Sequence, residues 1–371
     1  MASLHGVEAT QTLAVMGQRL LDWYARHRRD LPWRRTSDPY AIWVAEVMLQ
    51  QTRVETVSDY YERFLQRFPS LEALAAAPLD RVLKTWEGLG YYARARNLHK
   101  TAQQVTRDLG GQLPDTPEGL LHLPGIGRYT AAAIASIAFG YDVVALDGNL
   151  HRVLCRLFSI DDDPGRPNTQ RTLERLAMAM LPLGHAGDFN QALMDLGATI
   201  CTPTNPRCLL CPLTSLCQAK QEGIQNSLPI RATRTHRPQR DVTAGVIWDG
   251  NGQFLITQRP LDGMLGGLWE FPGGKRRPGE DLSSCLQREI EEELAIEIQI
   301  NGLLCVVEHA FTHFQMSLYA FDCSWLRGKP QCLGCDDLRW VTLNQLEAFA
   351  FPVADRKIIT YLRNRHVPPE T

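Results

Sequence analysis

Four cysteines within seventeen residues constrain this chain more than any other feature. Cys201, Cys208, Cys211 and Cys217 are spaced C-x6-C-x2-C-x5-C in CTPTNPRCLLCPLTSLC. Four thiolates that close in sequence suit an iron–sulfur cluster or a zinc ion, and either draws the loop around itself. The first residues, MASLHGVEATQTLAV, lack a basic leader, an apolar stretch and a small-residue cleavage site. The chain therefore reads as unsecreted, and its ten cysteines as reduced by default. Cys332 and Cys335 form a lone C-x2-C with no second ligand pair, and Cys155, Cys285, Cys305 and Cys323 are scattered, so these six read as structural thiols.

Around the cysteine loop the chain changes character twice. From about Thr10 to Ala219 apolar residues recur at helical spacing with short Gly, Pro and Asp punctuation, as in DPYAIWVAEVMLQQT and YTAAAIASIAFG, which predicts an all-α domain over 1–222. Residues 223–240, GIQNSLPIRATRTHRPQR, carry four arginines and no acid and read as an exposed linker. Beyond it, VTAGVIW, QFLITQ, LLCVVEH and MSLYAF read as strands and Leu282–Leu294 as a strong helix, giving an α+β domain over 241–371. The longest apolar stretch, Ala131 to Phe139, is too short to span a bilayer. Net charge is −2, which by itself speaks against a polyanion partner, but it hides an asymmetry. Residues 1–240 hold 27 basic against 23 acidic side chains, and residues 241–371 hold 12 against 18. Phosphate binding is thus expected mainly from residues 1–240, with an affinity that falls steeply with salt.

Upstream of the cysteines, LPGIGRYTAAAIASIAFG places Gly125 and Gly127 in a tight turn between two helices. Without Cβ atoms there, backbone N–H groups at the next helix N-terminus can approach a phosphate. This hairpin, followed by the 6-2-5 cysteine spacing, resembles the helix-hairpin-helix and [4Fe-4S] loop of the endonuclease III superfamily of DNA repair glycosylases. The resemblance implies that Cys201, Cys208, Cys211 and Cys217 hold a [4Fe-4S] cluster that staples a loop carrying Arg207 toward DNA phosphate. About twenty residues on, ALDGNLHRVLCRL supplies Asp147 and Asn149 ahead of a helix. Asp is a favoured N-cap and a helix N-terminus favours negative charge, so capping and catalysis are compatible. The superfamily resemblance places its catalytic aspartate at Asp147.

Bifunctional members of that superfamily carry a lysine nucleophile just after the hairpin, where this chain has Tyr129. A phenol cannot form an imine, so a monofunctional base hydrolase is expected. The segments LPWRR, DPYAIWVAEVMLQQTRVETV, WEGLGYYARARNLH and FNQALMDLGA resemble the adenine DNA glycosylases of the MutY family, and the likeness extends into the C-terminal half. Rupture of the glycosidic bond to adenine passes through an oxocarbenium-like state, so the purine needs a proton and the sugar a nearby negative charge. Glu46 lies among Ile42, Trp43, Val47, Met48 and Leu49, where burial raises a carboxyl pKa and suits a general acid. The family resemblance implies that Glu46 protonates adenine and later handles water, that Asp147 meets the sugar cation, and that Tyr129 and Asn149 orient these carboxylates. It implies further that Gln50, Gln51 and Tyr91 wedge into the duplex or touch the opposite base, and that Trp33, Arg34 and Gln191 line the adenine pocket. Arg26, Arg28, Arg29, Arg94 and Arg96 are candidate phosphate contacts.

In the acidic half, GGLWEFPGGKRRPGEDLSSCLQREIEEELAI resembles a Nudix box, G-x5-E-x7-R-E-U-x-E-E-x-G-U, with Ala295 in place of the final glycine. Glu289, Glu292 and Glu293 then share one helical face, a candidate Mg2+ site with residual nucleotide pyrophosphatase activity. In the MutY family this MutT-like half recognises 8-oxoguanine opposite adenine, through a loop that Phe311, Thr312 and His313 occupy here. The partner so implied is double-stranded DNA with 8-oxoguanine:adenine or guanine:adenine mispairs, bound by a monomer in a bacterial-type cytoplasm, with no membrane and with a replication clamp as a candidate protein contact.

Overall fold

The computed structural model describes residues 7–230, 237–311 and 313–365. The chain divides into two compact units, the described parts of Met1–Ala75 with Lys100–Arg234 and of Ala76–His99 with Thr235–Thr371. The short segment Ala76–His99 therefore belongs with the C-terminal residues rather than with its neighbours in sequence.

The first unit is helical. Its best-buried helix, Pro39–Leu49, starts where Asp38 accepts hydrogen bonds from the Tyr40 and Ala41 amides and Pro39 presets the first turn. Every residue from Tyr40 to Met48 is buried, so the helix is enclosed on all sides. Pro117–Leu121 and Arg128–Ala138 form the expected hairpin pair. Gly125, at φ +74°, makes the left-handed turn between them that a side chain would resist. Gly148–Leu157 and Ala186–Thr199 pack with Val7–His27 and Pro167–Met180 around Leu20, Trp23, Leu154, Leu173, Phe189 and Leu193. Cys201, Cys211 and Cys217 pack against this same core.

The second unit carries a mixed sheet of β1 (Gln239–Trp248), β2 (Phe254–Gln258), β3 (Trp269–Glu270), β4 (Glu297–Ala310), β5 (Gln315–Arg327) and β6 (Asp337–Val341). Its order is β3-β2-β1-β5-β4, with β6 also paired to β2; β1 and β5 run parallel and the other pairs antiparallel. Strand alternation sends Phe254, Ile256, Val246 and Leu318 to one face, beneath the helix Val353–Arg365. It sends Leu255, Ile247 and Cys323 to the other, beneath Leu282–Leu294. β1 begins at Gln239, inside the stretch that the composition marks as linker. Among the described residues no helix is long and apolar enough to cross a membrane.

Candidate active site

The buried helix Pro39–Leu49 keeps Glu46 almost entirely out of bulk water, and its side chain lines a cavity of about 150 Å3. That is well below the roughly 300–1,000 Å3 of sites for drug-sized ligands and on the scale of a single heterocyclic base. Glu46 is 4% exposed and accepts a hydrogen bond from Tyr129 Oη at 2.7 Å. Burial pushes its carboxyl up to about 7; the nearby Asp147 adds to the rise, while the Tyr129 bond and Arg34 oppose it. Tyr129 is itself held well above its ordinary range by burial and by the two carboxylates, so its hydroxyl keeps its proton and stays a donor.

Asp147 caps the helix Gly148–Leu157 and lines the same cavity. Its Oδ1 accepts from the Leu150 amide at 2.7 Å and its Oδ2 from Asn149 Nδ2 at 2.8 Å. Arg152, one turn on, donates from Nη2 to Asn149 Oδ1 at 2.9 Å and to the Gly197 carbonyl at 2.8 Å, and from Nε to the Cys201 carbonyl at 2.8 Å. A Cβ on Gly197 would come within 2.7 Å of Asn149 Cβ, so a glycine is needed where the two helices approach. An unbroken chain of hydrogen bonds thus joins a cysteine of the loop to Asp147.

Trp33, Arg34 and Gln191 also line the cavity. Trp33 is buried and packs edge-on against Tyr61. Arg34 makes a two-pronged bond to Asp195, at 2.6 and 2.9 Å, and Arg29 reaches the same carboxylate at 2.7 Å. Burial pulls Asp195 upward, but the Arg34 bond and the two guanidinium charges outweigh it and hold the carboxyl below its ordinary range. Asp195 and Arg152 escape motif reading because each is one polar residue inside an apolar helical pattern. The available signal is spacing: Asp195 follows Gln191 by one helical turn, and Arg152 follows Asn149 in the same way.

Outside the cavity, Gln50, Gln51, Gly125, Gly127, Arg128 and Asp147 share an open cleft of about 590 Å3. A Cβ on Gly127 would meet nothing, so the hairpin presents its amides to an unobstructed space. Gln50 donates to Thr130 Oγ1 at 3.1 Å. Gln51, at φ 57°, and Tyr91, at φ 48°, are non-glycine residues in the left-handed region, a local strain that functional loops often carry. In the second unit Tyr91 is exposed, with Arg94 over its ring.

Cys201 follows the helix Ala186–Thr199, and Cys208, Cys211 and Cys217 lie in and beside two short 3-10 turns, Cys208–Leu210 and Thr214–Leu216. Burial pushes the Cys211 thiol up to about 12; the Leu213 amide opposes this and the neighbouring Cys201, Cys217 and Cys208 add to it. A donor set of four adjacent thiols against a packed core fits a thiolate-ligated iron–sulfur cluster. Arg207 is exposed.

In the second unit Phe311 and Phe314 close the β4–β5 hairpin through an amide-to-carbonyl bond of 2.9 Å, with their rings stacked and His309 edge-on to Phe311. His313 is exposed, and Thr312 lies outside the described residues. On the Leu282–Leu294 helix, Arg288 bonds Glu280, Glu289 and Glu292 at once. Glu293 is pushed up to about 7 by burial and by Glu270 and Glu289. Ala295 takes the left-handed position, φ 55°, that ends this helix and that a glycine would fill without strain. Among the described residues no three His, Cys, Asp or Glu side chains converge as ligands for a single metal ion.

Comparison with known proteins matches residues 44–178 to the HhH-GPD superfamily of base excision DNA repair proteins and residues 243–361 to the NUDIX domain. The chain is 36% identical to the adenine DNA glycosylase of Homo sapiens, over 91% of this chain and 72% of that protein. It is 33% identical to the adenine DNA glycosylase of Buchnera aphidicola, over 95% of this chain and 98% of the relative. Among solved structures, a thermostable thymine-DNA glycosylase superposes with a TM-score of 0.53 at 33% identity, covering 58% of this chain and 99% of that one.

Proposed function

The chain belongs to the adenine DNA glycosylase family of base excision repair, and from that premise we propose that Glu46 is its general acid and Asp147 the carboxylate that meets the sugar cation. The observation that carries this reading is the Tyr129–Glu46 bond of 2.7 Å in a base-sized cavity that Asp147 also lines. Adenine leaves poorly as an anion. Glu46 holds a proton near neutrality and can deliver it to the purine as the glycosidic bond lengthens. The cationic sugar then faces Asp147, whose two oxygens are fixed by the Leu150 amide and Asn149. Glu46, left as a carboxylate, next takes a proton from the attacking water. Tyr129, fixed to Glu46 and with no amine to offer, supports hydrolysis rather than a lyase.

The substrate is adenine opposite 8-oxoguanine or guanine in duplex DNA bound by a monomer, with Phe311, Thr312 and His313 contacting the opposite base. Extruding adenine costs a few kcal/mol of unstacking. Gln50, Gln51 and Tyr91 are the side chains assigned to offset it, and Trp33, Arg34 and Gln191 those assigned to the base. Gly125 and Gly127 hold phosphate at the hairpin. Cys201, Cys208, Cys211 and Cys217 would hold a [4Fe-4S] cluster, which when bound supplies a rigid cross-link for the loop that carries Arg207. The direct test is release of free adenine from an 8-oxoguanine:adenine duplex in the presence of a chelator of divalent cations. Release supports the reading, and intact DNA with bound protein overturns it.

A second reading concerns the Nudix-type helix alone. Burial raises Glu293, and Glu270 and Glu289 add a like-charge contribution that Mg2+ would relieve. Glu289, Glu292 and Glu293 would then support residual nucleotide pyrophosphatase activity. Incubating the full chain with Mg2+ and oxidised or normal nucleoside triphosphates tests it, and absence of pyrophosphate and phosphate release ends it.

A further inference from the structure

Arg156 is 2% exposed, on the helix that begins at Asp147, and its guanidinium has an unusual set of partners. Nε donates to the Leu228 carbonyl at 2.9 Å, Nη1 to the Thr202 carbonyl at 2.7 Å and Nη2 to the Pro203 carbonyl at 3.0 Å. Nη1 also lies 3.4 Å from Cys201 Sγ, and Cys217 Sγ lies 3.4 Å from the Arg156 carbonyl oxygen. Among the described residues no carboxylate lies within ion-pair distance of it. A buried cation surrounded only by neutral carbonyls is costly, because their dipoles satisfy its hydrogens without balancing its charge. The negative charge that this site can offer is that of thiolates. Elsewhere in this unit the largely buried guanidinium of Arg34 has Asp195 as its counter-ion.

We infer that Arg156 is the counter-ion of the thiolate-bound cluster, pairing its N–H and its charge with the Cys201 side of the loop. This rests on the reading that the four cysteines hold a [4Fe-4S] cluster. Four thiolates outweigh the cationic iron–sulfide core, so the loaded loop is a net anion into which a fixed cation fits. A positive charge and an N–H···S bond both stabilise electron-rich sulfur, so Arg156 slows loss of the cluster and raises its reduction potential. In this role it is a positioning residue for the cofactor, distinct from Arg152, which bonds the Cys201 carbonyl and faces the catalytic aspartate.

The test uses the full chain purified with its cluster and compares the wild type with R156M, R156Q and R156K. Iron and sulfide content, cluster loss in air and the potential by protein-film voltammetry are the readouts, with circular dichroism as the check on folding. Wild-type protein without iron and sulfide would defeat the cluster reading itself, independently of Arg156. With a loaded wild type, the neutral variants should lose the cluster about tenfold faster and shift to more negative potential. R156K, which keeps the charge but not the planar fork, should keep a potential close to wild type. Folded R156M or R156Q with unchanged potential and cluster lifetime would overturn the inference. If neither neutral variant folds, R156K decides: a potential near wild type supports the role, and a clear negative shift overturns it.

Discussion

Arg152 Nη2 lies 2.9 Å from Asn149 Oδ1, and this single bond is the joint between the cysteine loop and Asp147. On one side Asn149 holds Asp147 Oδ2; on the other Arg152 holds the carbonyl of Cys201. Replacing Arg152 with Gln removes the charge and the reach to Cys201. Loss of such an outer support typically lowers activity roughly 10- to 100-fold. Single-turnover adenine release should fall in that range while duplex binding persists. Wild-type rates in R152Q would show that Asp147 needs no support from the loop.

If Glu46 is the proton donor, with its carboxyl held near 7, adenine release should fall as pH rises through about 7. The Tyr129 bond lowers that value, so Tyr129→Phe should move the alkaline fall to higher pH, with a lower maximum because Glu46 is less well oriented. Single-turnover rates across pH in both proteins check this. A fall that stays at the same pH in the variant would remove Tyr129 from the control of Glu46.

The same burial makes stability depend on pH. Unfolded, the Glu46 carboxyl titrates near its ordinary 4.5, but folded it holds its proton to about 7. Stability from this group is therefore complete below 4.5 and is lost as pH rises toward 7, by on the order of 3 kcal/mol. Glu46→Gln carries no such charge. Urea unfolding should show the variant gaining on the wild type between about pH 5 and 8, and parallel curves would contradict a dry Glu46.

Asp195 anchors Arg34 in a nearly solvent-free ion pair and also holds the part-exposed Arg29. Asp195→Ala leaves one guanidinium buried without an anion, a change that costs about 3–5 kcal/mol. Thermal unfolding should report that loss, and Arg34 should no longer be fixed at the cavity wall. A variant as stable as wild type would mean that solvent already screens the pair.

Much of this was legible in the sequence where local chemistry decides the structure. Asp38-Pro39 announces a helix start, the run from Tyr40 to Met48 a buried helix, and Gly125 a left-handed turn, each through contacts with near neighbours. Leu282–Leu294 and the strands β1, β2, β4 and β5 likewise follow from periodicity. β3 is only two residues long, and β6 and the helix Val353–Arg365 have weak patterns whose burial depends on the completed sheet. The same divide runs through the site. Glu46, Tyr129 and Asp147 stand in recognisable motifs, whereas Asp195, Arg152 and Arg156 acquire their partners from segments 45 to 166 residues away. No local pattern carries that information.

The most direct measurement is single-turnover release of adenine from an 8-oxoguanine:adenine duplex by the wild type and by Glu46→Gln, with duplex binding measured in parallel. With Glu46 as the buried acid, the variant binds the duplex about as well as the wild type and releases no adenine above background. Substantial turnover by Glu46→Gln would contradict the assignment, since glutamine occupies nearly the same space but has no proton of that acidity to give.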